Sequence, residues 1–459
     1  MNGVLLAIVG YVMVQFAIGA WLSRSTASEQ DYILAGRQLG TTLIAFSVFA
    51  TFFGAEAIIA STASVHEKGL AGALVDPIGY GIALLIVGVY FAARLRAMEL
   101  VTFADFFRTR FSPGVERLVV FVLLPGSLFW AAAQIRAFGQ VINANAGVGL
   151  GSAILLAALL VAVYAVVGGL LADAVTDVLQ GLVVIAGLLA LGIAVASQVP
   201  GPWLGLAAID AGRLSLFAAD DGGWIGHVEK LAVPICGTIV AVEVISRFLG
   251  ARSPREAALG TMLGAGLYLL LGLIPIYLGL VGPGLLTDLK ETEEIVPRLA
   301  QAFLPTTIYV LFIGAIISAI LSVVHATLHA PAAQLSHNVL LRIRPQAKAS
   351  GRLWAVRLTV AGLSVIATLL ASTAESIKDL VETASALGSA GVFVAAMFGL
   401  FTKIGGAPSA YASIVAGTIM WAWSKYVFGM TTPYLIALAA ACGSYLAVAA
   451  IERYETSRE

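Results

Sequence analysis

Residues 47–64 read SVFATFFGAEAIIASTAS, an apolar run in which Gly54 and Glu56 fall near the middle. Glycine weakens a helix interior, and a carboxylate is costly to bury in lipid. Non-helical backbone at membrane depth is tolerated only where it faces other protein or a water-filled cavity. The stretch therefore predicts a broken membrane helix with a polar cavity beside the break.

A second stretch, LAVPICGTIVAVEVISR at 231–247, has the same character. Pro234, Gly237 and Glu243 lie inside it, and proline removes a helix hydrogen bond and clashes with the preceding turn. The two stretches are five apolar runs apart. Interrupted runs at matching places of two halves are typical of an inverted repeat with a binding site at its midplane. Either kink alone is equally compatible with a structural role, so the pairing favours function.

The composition is that of a membrane protein. Of the 459 residues, 60% are hydrophobic and 11% are charged, whereas a soluble domain carries about 25% charged residues. The formal net charge is zero, so no basic surface favours a nucleic-acid partner. Cys236 and Cys442 lie far apart in apolar runs and predict neither a disulfide framework nor a metal site.

The apolar runs predict an all-α integral membrane protein, because they do not alternate with period two and irregular backbone is unstable in lipid. Thirteen transmembrane helices are predicted, at 4–22, 41–64, 72–94, 117–145, 152–168, 174–199, 231–249, 256–282, 305–330, 351–372, 376–402, 408–427 and 431–451. Lysine and arginine concentrate in alternate loops. This predicts a multi-pass protein of the cell inner (plasma) membrane, with its N-terminus outside and its C-terminus in the cytoplasm.

These runs predict a single transmembrane domain over 1–459. An extra N-terminal helix (4–22) precedes a first repeat (41–199) and a second repeat (231–402), and two C-terminal helices (408–451) follow. The first run is longer than a signal-peptide core and no lysine or arginine precedes it, so we expect a retained helix. We expect no appended soluble domain after the last helix.

Charged residues at membrane depth are the candidate solute-binding residues: Glu56, Asp76, Arg136 and Glu243. Burying such groups costs a few kcal/mol or more each, so they usually pair or line a polar pathway. We predict an ion pair between Glu56 and Arg136. A purely structural pair and a functional pair are both compatible with the sequence.

Three of the five histidines fall within ISAILSVVHATLHAPAAQLSHN at 317–338. His325 and His329 are four residues apart and share a helical face, but no Cys, Asp or Glu in the segment supplies the third ligand of a zinc site. Packed histidines are therefore the simplest interpretation, and no metal beyond sodium is predicted. A proton-handling role of His325 stays open because an imidazole titrates near neutral pH. His337 is predicted to lie on the surface at the inner membrane edge.

The segment GVGLGSAILLAALLVAVYAVVGGLLA at 147–172 resembles the first signature of the sodium:solute symporter family throughout its length. Further similar stretches are DYILAGRQLG (31–40), DAVTDVLQG (173–181), SRFLGARSPREAALG (246–260) and, with Ile404 and Ser409 as departures, GLFTKIGGAPSAYASIVAG (399–417). The resemblance implies a leucine-transporter-like fold, which is a five-plus-five inverted repeat with one helix in front and two behind. It also implies uptake of a small solute driven by sodium.

The resemblance further implies a sodium site between the second and ninth predicted helices. Its ligands would be the backbone carbonyls of Ala50, Phe53 and Ala319 and the hydroxyl of Ser322. Val323 stands where the family places a second hydroxyl. Sodium coupling, proton coupling and uncoupled transport therefore all stay open.

For the solute, the resemblance matches Glu56 and Asp76 to acidic contact positions, whereas Ala57 and Gly79 replace neutral hydrogen-bonding partners. Such a set would hold a polyol poorly. A cationic or zwitterionic solute could use the acids, and a carboxylate could use Arg136 if this residue is not engaged by Glu56.

We therefore expect a secondary active transporter, a cation-coupled symporter of a small polar organic solute that works by alternating access, and not an enzyme. Sodium is the expected coupling ion, and no cofactor is expected. The expected partners are the solute and the lipid bilayer, without nucleic acid. The alternatives are a transporter-like solute sensor without net transport and an uncoupled facilitator.

Overall fold

The computed structural model describes residues 3–456 apart from 200–204, 208, 218–221, 287, 288, 290, 291, 344, 345, 347 and 375. This described part is helical, with one isolated bridge between Leu39 and Ala251. Its first ten α-helices, α1 to α10, are Gly3–Leu22, Glu29–Leu34, Thr41–Phe52, Ser61–Lys68, Tyr80–Ile86, Ala93–Ala97, Phe103–Arg110, Pro113–Ala146, Leu150–Val167 and Leu170–Ala196. The others, α11 to α21, are Gly223–Ile239, Val242–Leu249, Pro254–Val281, Ile295–Phe303, Thr306–Gln334, Leu341–Ile343, Ala349–Thr373, Ile377–Ala386, Ser389–Phe401, Ala407–Ala422 and Pro433–Thr456.

Short segments of other helix types join or extend these α-helices. The π-helical segments are Glu56–Ala60, Leu74–Gly79, Val87–Ala92, Leu335–Leu340 and Trp423–Val427. The 3₁₀ turns of the described part are Ser23–Ser25, Ala35–Arg37, Gly69–Ala73, Ala211–Leu214, Gly282–Gly284 and Thr292–Glu294.

The membrane-spanning character of the chain is clear from the helices. In the described residues, ten helical stretches are long and apolar enough to cross a membrane, and the apolar helices Gly10–Leu22 and Thr41–Phe52 are shorter. The predicted all-α membrane fold is confirmed. The number of thirteen spans and the limits of the two repeats stay predictions.

The predicted interruption of the second span is present. Helix α3 ends at Phe52, and Phe53 has the non-helical angles φ −91° and ψ 65°. A π-helical segment then begins at Glu56 and continues into α4. The run at 47–64 is therefore two helical pieces joined by a short irregular segment.

The seventh span is also interrupted, but not where proline and glycine predicted it. Helix α11 continues through Pro234 and Gly237 to Ile239, and the break comes at Ala241, whose φ and ψ are −66° and 116°. The N–H groups of Val240 and Ala241 bond back three residues, at 3.2 and 3.1 Å. The helix therefore ends by tightening into a 3₁₀ turn, and the proline is accommodated upstream of that turn.

The second and third spans form a tight hairpin. The Ser61 hydroxyl donates to the carbonyl of Asp76 at 2.7 Å, although these residues would lie about 22 Å apart along one continuous helix. The chain turns at Gly69, whose φ is +64°, a conformation that favours glycine.

The face predicted to be cytoplasmic is closed by a polar cluster, which we call the inner latch: Glu29, Asp105, Glu116, His337 and Asn338. His337 Nδ1 lies 2.6 Å from Glu29 Oε1. The Asn338 amide donates to Asp105 and Glu116 at 2.8 Å each. His337 is thus a half-buried partner of other helices, and the prediction of a plain surface residue is wrong because the sequence does not show that α2 lies against it.

Candidate functional site

A small cavity of about 50 Å³, here called the inner cavity, lies where the two broken spans meet. Three aromatic side chains line it: Phe52, Tyr80 and Trp130. The ring of Phe52 lies 5.0 Å from that of Trp130 in an edge-on arrangement and 6.1 Å from that of Tyr80. The residues of the seventh break, Val240 and Ala241, complete the wall.

Glu243 gives the inner cavity its charge. It lies in the first turn of α12, directly after the seventh break, and its Oε1 accepts a hydrogen bond from the Ser127 hydroxyl at 2.5 Å. No lysine, arginine or histidine of the described residues lines this cavity. A carboxylate with aromatic faces and without a competing cation is an environment that favours a positively charged ligand.

A larger cavity of about 390 Å³, the outer vestibule, lies toward the helix ends that are predicted to be extracellular. Glu56 and Asp76 line it, and so do Trp421 and Tyr434 of the C-terminal helices. Tyr80 lines both cavities, and its hydroxyl shares a hydrogen bond of 2.5 Å with Ser385. The Tyr80–Ser385 contact therefore lies between the vestibule and the inner cavity.

Asp76 and Glu56 are both held by neutral donors. The Tyr268 hydroxyl donates to Asp76 Oδ1 at 2.6 Å. Glu56 accepts one hydrogen bond from the indole of Trp130 at 2.9 Å and another from the amide of Gln134. These hydrogen bonds therefore fix the orientation of both carboxylates, which line the vestibule.

The predicted ion pair between Glu56 and Arg136 is wrong. Arg136 Nη1 donates to the carbonyl of Ala371 at 3.3 Å, and Arg136 lines neither cavity in the described residues. The reason is helical geometry: Trp130 and Gln134 are one turn apart and share the face toward Glu56, whereas Arg136, two residues further on, projects from another face.

The predicted sodium ligands lie on two segments that the structure brings together. Ala50 and Phe53 are on the second span, Ala319 and Ser322 are on α15, and all four are buried. Asp177 of α10 bridges the two segments, since it accepts hydrogen bonds from Ser322 at 2.5 Å and from Ser47 of α3 at 2.6 Å.

A second acid on α10 forms a buried ion pair. Asp173 contacts the guanidinium of Arg247, whose side chain is fully buried and whose Nε donates to Thr51 at 3.0 Å. His325 Nδ1 lies 2.9 Å from the same carboxylate. In the described part, the hydrogen bonds to Asp177 come from hydroxyls alone. Asp177 thus places carboxyl oxygens beside the predicted sodium ligands.

Comparison with known proteins fits this geometry. Residues 32–417 match the sequence profile of the Sodium:solute symporter family. The chain belongs to this family. It is a sodium-coupled solute symporter of the membrane and not an enzyme. The sequence predicted a cation-coupled symporter and left the coupling ion open between sodium and the proton.

Characterised relatives of the symporter carry different solutes. The human high affinity choline transporter 1 is 26% identical over 445 residues, which are 91% of this chain and 76% of the relative. The sodium/pantothenate symporter of Escherichia coli (strain K12) is 24% identical over 438 residues, which are 91% of this chain and 90% of the relative.

Solved structures show the fold of the symporter. A Na⁺-coupled sialic acid symporter, in a substrate-bound outward-open state, matches 98% of both chains with a TM-score of 0.86 at 18% identity. Mhp1, a nucleobase-cation-symport-1 family transporter in a closed conformation, matches with a TM-score of 0.61 at 13% identity, covering 93% of this chain and 95% of its own. The predicted leucine-transporter-like fold is confirmed.

Two histidines of α15, His325 and His329, pack within the protein. His329 Nε2 contacts the carbonyl of Tyr32 at 3.0 Å, and the rings of His325 and His329 stack 5.3 Å apart. In the residues that the structure describes, no group of three His, Cys, Asp or Glu side chains is placed to hold a metal ion. The shared face of the two imidazoles thus serves packing and the contact with Asp173.

Sequence reasoning missed five residues of these clusters: Trp130, Gln134, Asp173, Asp177 and Arg247. The acids lie in DAVTDVLQG, which served only as a point of resemblance, although their i, i+4 spacing puts both on one face. Arg247 ends the seventh apolar run close to Arg252 and Arg255, a pattern typical of a cytoplasmic loop, yet its side chain is fully buried. The amide of Gln134 and the indole of Trp130 carry no charge, so charge at membrane depth does not indicate them.

Proposed function

We propose that this symporter carries a small organic cation, such as a quaternary ammonium compound, together with sodium. The observation that carries the proposal is the inner cavity, which is lined by Phe52, Tyr80, Trp130 and Glu243 and, in the described residues, by no lysine, arginine or histidine. Cation–π attraction by such faces is worth about 2 kcal/mol or more when desolvated. The similarity to choline transporters supports the same solute class.

A carboxylate solute is less well served by this site. The arginine that the sequence offered for it, Arg136, bonds to the Ala371 carbonyl and is not part of either cavity lining. We propose that Glu243 receives the cation in the inner cavity, and that Glu56 and Asp76 guide it there from the vestibule.

For sodium, we propose the carbonyls of Ala50, Phe53 and Ala319 with the hydroxyl of Ser322. The Ser322 hydroxyl donates a hydrogen bond to Asp177, which leaves the lone pairs of its oxygen for a cation. Sodium is a hard ion that prefers oxygen ligands, and half-helix ends and unwound carbonyls supply them in folds of this class. The carboxyl group of Asp177 orients the Ser322 hydroxyl in this arrangement.

Proton coupling through His325 is a second candidate. His325 follows Ser322 by three residues on α15 and contacts Asp173, which is itself paired with Arg247. If protons drive transport, a pH gradient imposed without sodium should energise uptake, and His325→Gln should abolish only that component.

We also propose the arrangement in the membrane. The distribution of lysine and arginine supports a plasma-membrane protein with its N-terminus outside and its C-terminus in the cytoplasm. The two repeats, 41–199 and 231–402, are supported by the pair of broken spans. The first helix and the last two helices lie outside the repeats.

Uptake into proteoliposomes tests the solute and the coupling ion together. We expect labelled choline to accumulate in response to an inward sodium gradient, whereas labelled pantothenate, tested in parallel, should not. Glu243→Gln should reduce choline uptake by at least about tenfold because it removes the charge that offsets the ligand's desolvation.

The matched control is Glu99→Gln, the same substitution at an exposed residue whose side chain is 76% accessible, and its uptake should stay within about twofold of the unsubstituted protein. Accumulation of pantothenate without choline would refute the organic-cation proposal. Equal uptake in sodium and potassium would refute the sodium site.

A further inference from the structure

We propose that Gln134 of α8 is a positioning residue that couples solute binding to sodium binding. The inference rests on the proposed function, because it assigns the solute to the side of Glu56 and sodium to the side of Phe53. It concerns a residue that touches neither ligand and acts through the backbone between them.

Gln134 holds the break of the second span with both ends of its amide. Its Oε1 accepts a hydrogen bond from the N–H of Ala55 at 3.2 Å, and its Nε2 donates to the carboxylate of Glu56. The side chain is fully buried. A single planar group therefore satisfies a backbone donor at the break and fixes a carboxylate that lines the vestibule.

The surroundings of Gly54 show how closely the solute side, at Glu56, approaches the sodium side, at Val323. A Cβ atom at this position would lie 2.6 Å from Glu56 Oε2, 2.8 Å from Val323 Cγ2 and 2.9 Å from Gln134 Oε1. Glu56 belongs to the vestibule lining, and Val323 neighbours Ser322 on α15. The break is thus the point where the solute side and the sodium side contact the same residue.

The direction of the coupling follows from these contacts. A cation that attracts Glu56 changes the position of the carboxylate to which Gln134 donates. Because the amide is planar, a shift of Nε2 moves Oε1, and with it the Ala55 N–H and the nearby carbonyl of Phe53. Linkage requires the reverse as well: sodium that fixes the Phe53 carbonyl also fixes Glu56 for the solute.

The test measures this coupling directly in the full-length protein in nanodiscs. The Kd of labelled choline is determined in sodium chloride and in potassium chloride, and the ratio of the two values is the coupling factor, which we expect to be about 5- to 150-fold in the unsubstituted protein. Gln134→Met keeps the side-chain volume and removes both hydrogen bonds. We expect it to bring the factor to within about twofold of unity.

Two substitutions separate coupling from general damage. Trp130→Phe removes the indole donor to Glu56 and reduces one aromatic face of the inner cavity, but it leaves both hydrogen bonds of Gln134 in place. It should therefore weaken choline binding in both salts and leave the coupling factor unchanged. Gln334→Met makes the same exchange at a buried glutamine on α15 near its far end, and it should change neither quantity. A coupling factor that survives Gln134→Met, or that falls equally in Trp130→Phe, would overturn the inference.

A sodium titration without solute distinguishes this inference from the organic-cation proposal. The sodium concentration that gives half of the rise in melting temperature should increase at least about fivefold in Gln134→Met, since the Ala55 N–H loses its partner. If choline fails to bind the unsubstituted protein, the solute proposal falls while this arm still tests Gln134. An unchanged midpoint would show that Gln134 does not support the sodium site.

Discussion

The two broken spans of the symporter satisfy their backbones in different ways. At the seventh break, the N–H groups of Val240 and Ala241 bond to carbonyls of their own helix. At the second break, the N–H of Ala55 bonds to the side chain of Gln134 on another helix. The backbone N–H groups at the seventh break are therefore satisfied within their own span, whereas the geometry of the second break depends on a side chain of α8.

This difference separates two tasks of the binding region. A break that closes on itself can present a charged residue such as Glu243 in a fixed place. A break held by a neighbouring helix responds when that neighbour moves. We infer that the seventh span supplies a stable wall to the inner cavity. The second span, in contrast, changes its geometry when the solute site or the sodium site is occupied and so affects the other site.

The largest effect should come from Arg247, which anchors the piece of the seventh span beyond its break. Arg247→Met removes the guanidinium partner of the buried Asp173 carboxylate and leaves it only the contact with His325, and we expect a loss of about 3–5 kcal/mol of stability with loss of transport. Thermal unfolding and uptake measure both effects. The double substitution with Asp173→Leu should recover most of the stability, and a double variant as unstable as the single one would show that Arg247 acts through other contacts.

A smaller but still large effect should follow from Gly54→Ala at the second break. The added methyl would crowd Glu56, Val323 and Gln134, and overpacking of this kind costs about 1–3 kcal/mol, enough for roughly a tenfold fall in sodium-dependent uptake. Gly266→Ala is the control because a Cβ at this helical position meets nothing within 4 Å. Equal uptake by the two variants would contradict the account of the second break.

The smallest effect concerns Val323→Thr, which restores a hydroxyl beside the second break and preserves side-chain volume. One added ligand in a buried site is worth about 1 kcal/mol, so the sodium concentration for half-maximal uptake should fall about fivefold. The neighbouring Val324→Thr should not lower it, because that side chain projects from another face of α15. An unchanged sodium dependence in Val323→Thr would exclude this position from the sodium site.

Much of the fold was predictable from the sequence because lipid restricts what a backbone can do. Apolar runs indicated the helices, and Gly54 together with Glu56 indicated the break of the second span. The break of the seventh span could not be placed within its run, because Pro234 is a conspicuous signal that a membrane helix can accommodate, whereas the extended residue Ala241, where the break lies, carries no signal of its own.

The candidate site was predictable only where a residue carried charge inside an apolar run. Glu56, Asp76 and Glu243 were found in this way, and the structure places them in cavity walls. Gln134 and Asp177 take their meaning from partners more than 70 residues away in sequence. Their pairing with Ala55 and Ser322 is a property of helix packing, which a single sequence does not display.

The inner latch has a consequence for how the emptied carrier resets. Its members sit on α2, α7, α8 and the extension of α15, and outlying arginines such as Arg342 and Arg352 are 45% and 38% accessible. Water can replace contacts of this kind at little cost. The latch members Glu29, Glu116 and Asn338 are themselves buried, so opening the cytoplasmic side breaks their hydrogen bonds and exposes them to water. We therefore expect this opening to contribute to the duration of each transport cycle.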